Sequence, residues 1–529
     1  MRRLFTHAVL GAAVAVAVLA PFNAGALERG PDGLVMVVAG RQPVATLDPS
    51  VKYDASTRTV QQALYDALVK YENNPPEISA WLAESWETSP DGLVWTFKLS
   101  PEAKFHNGDP VDAEAVRFSF ERTLKLNQGP AWMLSSFLQP ENIKALDDHT
   151  VQFTLDRPYA PFLSFLPWWY VMNPKQVQAN EVDGDMGQAW LASNDAGSGP
   201  YKIKRFEQGD IYELERNANY WRGFPYDDEN GPASIIYQLI RETAAQRSAL
   251  STGDADIVLS LSPDEFDAVA SAPGIETSTQ PALTAFGIKF NTKGEFTADE
   301  NLRKAIAHAF DYEGLVKIYN GKAKLQTSPF ADAIDSKIEV EAMPRQDLEK
   351  AKEFLSKSNW PDGGITLEFV HVQGNEEQRL MGLILIDSLQ DLGIEVEMVP
   401  LTWPNMVAKG SDVKTSPDMM AIFATPVSTD ADAVAFQYHP DSWGKYYGSS
   451  FYDNPEVASL IEKARFETDA ERRSELYAEI QKRIVADQPE IFGMMRERRI
   501  AFRDYVGGFS YSPVRMTTEI DLYPLHIEK

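Results

Sequence analysis

Cysteine is absent from this chain of 529 residues, and histidine is scarce at 7. The first absence removes disulfide frameworks, zinc ribbons, thiol catalysis and acylation at a lipoprotein cysteine. The second argues against a histidine-built metal site, nickel included. Positive charge is in deficit, with 50 Lys and Arg against 77 Asp and Glu and a formal net charge of -27. A field of that sign repels phosphate backbones and anionic surfaces, so no nucleic-acid partner is expected. It also keeps a secreted chain soluble and monomeric. Enzyme signatures are missing as well: there is no nucleophile elbow, no HExxH helix, no phosphate-cradling loop ending in Lys-Ser or Lys-Thr, and no dinucleotide fingerprint. Gly197-Ser198-Gly199-Pro200 is glycine-rich but lacks the lysine and a preceding strand, and reads as a turn. No cofactor is expected.

Long hydrophobic runs are lacking too, with one short exception. Residues 8–20 are unbroken apolar or small, follow Arg2-Arg3, and precede Ala24-Gly25-Ala26. Such a run is too short to cross about 30 Å of hydrocarbon as a helix. The basic start and small-x-small end make residues 1–26 a cleavable export address.

What remains is 44% hydrophobic and 24% charged, the balance of an ordinary globular protein, at a length that suggests roughly two to four domains. Periodicity predicts a strand at 34–39, a helix from 57 to 71, a strand at 93–99, and a helix at 113–124 capped by Asp112. Strands follow at 150–155, 201–206, 211–216 and 234–239, then a helix at 244–251 ending at Gly253 and a strand at 256–261. A strand at 286–290 precedes helices at 301–310, 313–319 and 347–357. Residues 366–370, 377–391 and 395–399 form a strand–helix–strand unit, and charged helices run at 456–466 and 470–486. Strand–helix–strand units argue for parallel pairing under covering helices, an α/β architecture.

Aromatic clusters are the most informative local feature. Trp168-Trp169-Tyr170 lies between Pro167 and Pro174, and a second group comprises Tyr438, Trp443, Tyr446, Tyr447, Phe451 and Tyr452. Three consecutive aromatics on an irregular segment cannot all enter one core, so at least one faces a cavity, a seam or a ligand. Asp430-Ala431-Asp432 is compatible with a divalent ion or, with a distant acid, a glycosidase pair, although carboxylate pairs are common in so acidic a chain.

Six blocks in order carry a resemblance. They are Trp81-Leu82-Ala83-Glu84-Ser85-Trp86 with Asp91-Gly92-Leu93-Val94-Trp95-Thr96-Phe97; Lys104-Phe105-His106-Asn107-Gly108 with Asp112-Ala113-Glu114-Ala115-Val116-Arg117-Phe118; Gly197-Ser198-Gly199-Pro200-Tyr201; Arg216-Asn217-Ala218-Asn219-Tyr220-Trp221; Ala249-Leu250-Ser251-Thr252-Gly253-Asp254-Ala255-Asp256; and Phe290-Asn291 with Leu302-Arg303-Lys304-Ala305-Ile306 and Phe310-Asp311. Together they resemble the extracellular solute-binding protein family 5, the dipeptide-, oligopeptide- and nickel-type binding proteins of ABC importers. The resemblance implies an α/β, periplasmic-binding-protein-like fold: two lobes closing on a ligand cleft, with an extra subdomain inserted in the first lobe. It implies a base lobe at 27–58, 199–280 and 492–529, an insert at 59–198, and a second lobe at 281–491. Trp86, Trp95, Trp221 and His106, though part of the signature, are read as structural.

Ligand residues are carried over one at a time. In dipeptide-type members a second-lobe acid ahead of an Asp-Pro-Asp-like segment holds the ligand ammonium. Here Asp430 and Asp432 match the later acids, and Pro426, Val427 or Ser428 stands in the upstream place. An arginine near the start of the 377–391 helix holds the ligand carboxylate in those members, and Arg379 sits close to that place. The expected ligand contacts are Tyr53, Asp54, Trp168, Trp169, Tyr170, Arg379, Trp403, Phe423, Thr425, Asp430 and Asp432. Trp169→Ala is expected to weaken binding and leave the fold intact. The implied function is that of a periplasmic, non-enzymatic substrate-binding subunit. It takes a peptide or similar polar solute, a sugar or opine included, and delivers it to an ABC permease and ATPase. A secreted glycoside hydrolase using a carboxylate pair, and a binding module with a chaperone or signalling role, are the rival readings.

The exported protein is expected to start at Leu27 and carry no lipid. Its intact mass checks this, and retention of residues 1–26 would refute it.

Overall fold

The computed structural model describes residues 29–30, 33–321 and 323–528. The export address lies outside the described residues. After a two-residue strand at Arg29–Gly30, the described chain runs through β1 (Gly33–Gly40) and α1 (Ala55–Leu64), then β2 (Val69–Glu72), β3 (Glu77–Ala80), β4 (Ala83–Thr88), β5 (Val94–Leu99), α2 (Ala113–Leu126), β6 (Ile143–Asp147) and β7 (Thr150–Thr154). It continues with β8 (Tyr201–Glu207), β9 (Ile211–Arg216), β10 (Ser234–Leu239), α3 (Thr243–Thr252), β11 (Ile257–Val258), β12 (Ile275–Phe290) and α4 (Glu300–Ala309). The last part holds β13 (Ile365–Val372), α5 (Glu376–Gln390), β14 (Ile394–Leu401), β15 (Met419–Ala424), α6 (Pro455–Phe466), α7 (Ala470–Asp487) and β16 (Glu490–Arg503).

Ten of these strands form one path through a 12-stranded sheet, in the order β14-β13-β15-β12-β16-β11-β1-β10-β9-β8. Parallel pairs join β1 to β10 and β11 at one end, and β13 to β14 and β15 at the other. Between them β12 and β16 pair antiparallel from Ile275↔Arg503 to Lys289↔Glu490, with register shifts at Pro281/Ala285 and Phe286/Ile288. This ribbon is the covalent bridge between two separately cored parts. One core gathers Met36, Val38, Tyr201, Tyr212, Ile235 and Ile257 around β1. Another gathers Phe286, Phe369, Leu385 and Met419 around β13. A third spans the small sheet β4-β5-β7-β6, helix α2 and the seam where the two parts meet.

Local chemistry accounts for the element ends. Asp54 caps α1 by accepting from the Thr57 amide at 3.2 Å, and Asp112 caps α2 through the Ala115 amide at 2.8 Å. Gly253 closes α3 with φ of 85°, a backbone conformation favoured by glycine. Three expectations are corrected. The helix expected at 57–71 stops at Leu64, because the following residues are drawn into tertiary bonds and the hairpin β2–β3. The strand expected at 256–261 shortens to Ile257–Val258. The strand expected at 286–290 starts eleven residues earlier, at Ile275, and tolerates Pro281 beside a register shift of its pairing with β16.

The residue that halts α1 is Asp66, 2% exposed. Its carboxylate accepts from Trp81 Nε1 at 2.7 Å, Ser198 Oγ at 2.9 Å, Tyr220 OH at 2.9 Å and Trp221 Nε1 at 3.1 Å. Its carbonyl accepts from the Val171 amide at 2.9 Å. Three distant stretches of chain are thereby pinned to one carboxylate, and a fourth to the backbone carbonyl of the same residue. Beside it, His106 bonds Asp195 at 2.5 Å and the Gly199 carbonyl at 3.0 Å.

Asp66→Ala would leave four buried or half-buried donors without their acceptor. At about 1.5–3 kcal/mol per charged hydrogen bond, with incomplete additivity, the loss is expected to exceed about 4 kcal/mol. Urea unfolding measures it, and a loss under about 1 kcal/mol would refute the role.

Candidate ligand-binding site

The two parts meet along a seam floored by the β12–β16 ribbon, which contributes Leu283 and, half-buried, Met495. On the first side a short 3-10 turn, Leu166–Trp168, sets the Trp168 ring into the seam. Its Nε1 donates to the Val427 carbonyl across the seam at 2.7 Å. The Arg58 guanidinium lies 3.7 Å from its ring centre, and the Tyr53 ring meets it edge-on at 5.7 Å. Trp132 Nε1 donates to the Tyr53 hydroxyl at 3.0 Å, and burial pushes that hydroxyl up to about 12.

On the second side the chain leaves β15 and runs along the seam. Thr425 and Thr284 share a hydroxyl hydrogen bond at 2.7 Å, and Ser428 donates to Ser164 at 2.9 Å. Phe423 packs on Phe286 at 4.7 Å, and the Arg496 guanidinium covers its ring at 4.3 Å. Phe436 stacks on Trp132 from the opposite part, with centroids 6.0 Å apart. The half-exposed members of this surface, Tyr53, Trp132, Phe423, Tyr447 and Met495, form an aromatic and thioether wall suited to flat or apolar ligand parts.

The two acids of the seam are already engaged. Asp430 receives both terminal nitrogens of Arg473, at 2.8 and 2.7 Å. Asp432 pairs with Arg465 at 3.1 Å and accepts from the Tyr159 hydroxyl at 2.6 Å. Burial pushes the Asp432 carboxyl up from its ordinary range, and Arg465 opposes that push. A glycosidase pair needs one free carboxylate and one proton-holding acid facing a shared pocket. Here each acid faces its own arginine, and the hydrolase reading loses its residues.

The expected contacts are thus placed as follows. Tyr53, Trp168, Phe423 and Thr425 come together along the seam, and Asp430 and Asp432 brace its second side. Asp54 turns into the first turn of α1, held by the Thr57 amide and hydroxyl. Trp169 stacks on Phe120 at 4.8 Å, 2% exposed, inside the core of α2 and the small sheet. Tyr170 lies buried beside Tyr65 at 6.2 Å. Trp403 packs edge-on against Tyr446 at 4.7 Å. Arg379 is drawn to Glu376 on its own helix at 2.6 Å, with its side chain 45% exposed. Sequence reasoning missed Arg58, Trp132, Tyr159, Ser164, Phe436 and Arg496. Trp132 carried the same signal as Trp168, an aromatic in a proline-bearing turn, Gly129–Met133.

Comparison with known proteins shows the family and the fold. The family model of bacterial extracellular solute-binding proteins, family 5 (middle), matches residues 77–453. The chain is 31% identical over 494 residues to the probable D,D-dipeptide-binding periplasmic protein DdpA of Escherichia coli K12, covering 91% of this chain and 92% of that protein. It is 25% identical over 464 residues to the glutathione-binding protein GsiB of Pectobacterium atrosepticum, covering 86% and 87%. Among solved structures, the periplasmic binding protein DppA of Helicobacter pylori, in complex with the peptide STSA, superposes with a TM-score of 0.82 at 25% identity, over 94% of this chain and 98% of that one.

The burial of Trp169 reverses the expectation that Trp169→Ala leaves the fold intact. That substitution is expected to cost about 3–5 kcal/mol through the cavity it opens. Trp168→Phe, which removes only the donor to Val427 and part of the ring, is expected to cost under half as much. Paired denaturant titrations check the order, and equal costs would refute it.

Proposed function

The chain belongs to the bacterial extracellular solute-binding proteins of family 5, and from that premise we propose that it is the periplasmic substrate-binding subunit of an ABC importer, capturing a peptide or similar small polar solute by lobe closure. The observation that carries the reading is the seam itself. Two separately cored parts joined by one antiparallel ribbon meet through hydrogen bonds from Trp168 to Val427 and from Ser428 to Ser164, beside a wall of half-exposed aromatics. Contacts made from both sides to one solute favour the closed arrangement over the open one by their sum, and a permease that recognises the closed form is loaded only when solute is present.

In this reading the lobes are 27–58, 199–280 and 492–529 for the base, 59–198 for the insert, and 281–491 for the second lobe. The ribbon strands supply the crossings. The protein works as a monomer beside permease and ATPase subunits, and no bond is made or broken in it. Similarity to a probable D,D-dipeptide-binding protein and to glutathione-binding proteins supports a short peptide as the solute. With Asp430 and Asp432 held by Arg473 and Arg465, neither acid is free to take a ligand ammonium. Solutes whose amino end needs no carboxylate partner are favoured.

Mixing the protein with D-alanyl-D-alanine, L-dipeptides, glutathione, a disaccharide and an opine, and weighing the complexes by native mass spectrometry, tests this. One peptide is expected to be held at one per chain and recovered intact. At a hundredfold excess over its Kd it should add about 2.7 kcal/mol of stability. Disappearance of more than one equivalent of any solute would refute a purely binding role, and capture of the disaccharide or opine alone would refute the peptide.

A further inference from the structure

Strand β16 brings a second arginine close to the seam, and its surroundings are incomplete. Arg498 is 3% exposed. Its Nη2 donates to the Glu519 carbonyl at 2.8 Å, its Nε has no hydrogen-bond partner, and among the described residues no carboxylate pairs with it. The acids nearby are used by other cations. Glu519 pairs with Arg58 at 2.9 Å, and Asp521 pairs with Arg515 at 3.0 Å and Lys70 at 2.7 Å. Four cations therefore share two carboxylates inside a strongly acidic protein. The hydroxyl of Tyr511 is also buried without a partner. Burial pushes it up to about 12, and the nearby charge of Arg498 opposes that push. Burial and the neighbouring Arg515 bring Arg498 down to about 10, which still leaves it charged at neutral pH.

A buried guanidinium with a free nitrogen costs several kcal/mol unless an anion completes it. Its position suits a solute held in the seam. Arg496 and Arg498 project from the same face of β16, about 7 Å apart along the strand. Arg496 lies on the Phe423 ring, and Val514, from the loop that carries Tyr511, packs in the same cluster as Trp168 and Val427.

We propose that Arg498 and Tyr511 form an anion subsite at the base of the seam that takes a carboxylate of the bound solute. The guanidinium offers a planar fork to two carboxylate oxygens, and the phenol supplies one further donor. The subsite gives a chain of net charge -27 a local positive place for an acidic solute. The inference rests on the importer reading for its solute, and its test separates the two.

Isothermal titration with D-alanyl-D-alanine and its C-terminal amide is run on the wild type, Arg498→Gln and Tyr511→Phe. Thermal midpoints are read alongside, in sodium acetate and sodium chloride at equal ionic strength. Arg498→Gln is expected to weaken the free acid about 10- to 100-fold and Tyr511→Phe about 3- to 10-fold, with the amide bound poorly and alike by all three. Acetate is expected to raise the wild-type midpoint above chloride and to lose that advantage in Arg498→Gln. If that variant fails to fold, Tyr511→Phe, which removes one hydroxyl, carries both readouts. An acetate effect without dipeptide binding would keep the subsite and remove the dipeptide. Dipeptide binding unchanged in both variants would overturn the subsite and leave the importer reading standing. So would a wild type that responds to neither probe, as far as the subsite is concerned.

Discussion

A single buried carboxylate organises the first part of this protein. Asp66 draws two indoles, a phenol and a serine hydroxyl onto its two oxygens, and those donors come from Trp81, Trp221, Tyr220 and Ser198. They lie in three of the blocks by which the family is known. A buried anion with a full set of donors tolerates no slack, because each missing donor leaves charge unbalanced in a low dielectric. The signature residues are therefore the shell of one ion more than the lining of a site. By ending α1 and taking the Val171 amide on its carbonyl, the same residue fixes the exit of the aromatic segment. That fixes which of its three rings enters the seam.

The second part is braced differently. Arg473 and Arg465 hold Asp430 and Asp432. Those pairs stiffen the run from Phe423 to Asp432 where it faces Trp168. Both carboxylates act as struts of this run. The surface beside them along the seam is aromatic and hydroxylic, with Tyr53, Trp132, Phe423, Thr425 and Ser428 on it. The frame resides in ion-and-donor clusters, and the seam resides in aromatic and hydroxyl side chains set between them.

Much of the fold was legible in the sequence where a strong period coincided with a turn or cap. Helix α2 with Asp112, α3 with Gly253, the β8–β9 hairpin and the β13–α5–β14 unit all stand within a few residues of expectation. The ribbon was not legible. Strand β16 carries Arg496, Glu497, Arg498 and Arg499 in succession, which hides its alternation, and β12 carries Pro281. Both are tolerated because the pairing of two long strands sets the register. For the site, composition revealed that aromatics at 168–170 had to divide between core and seam. The division itself depends on a 3-10 turn and on Asp66, neither of which leaves a periodic trace. Arg379 failed to reach the seam for a local reason: Glu376, three residues before it, is the nearer partner.

The pairing of Arg58 with Glu519 joins residues 461 positions apart, and Ile520 closes the same junction by donating to Thr59 at 3.2 Å. Helix α1 is thus finished by a segment 461 residues further along the sequence. Contacts of such sequence separation form late, since the loop they close must be gathered first. Until residues 519–520 arrive, Arg58 lacks its Glu519 partner and Thr59 lacks the Ile520 amide. The docking of residues 519–520 on α1 therefore belongs among the late steps of folding.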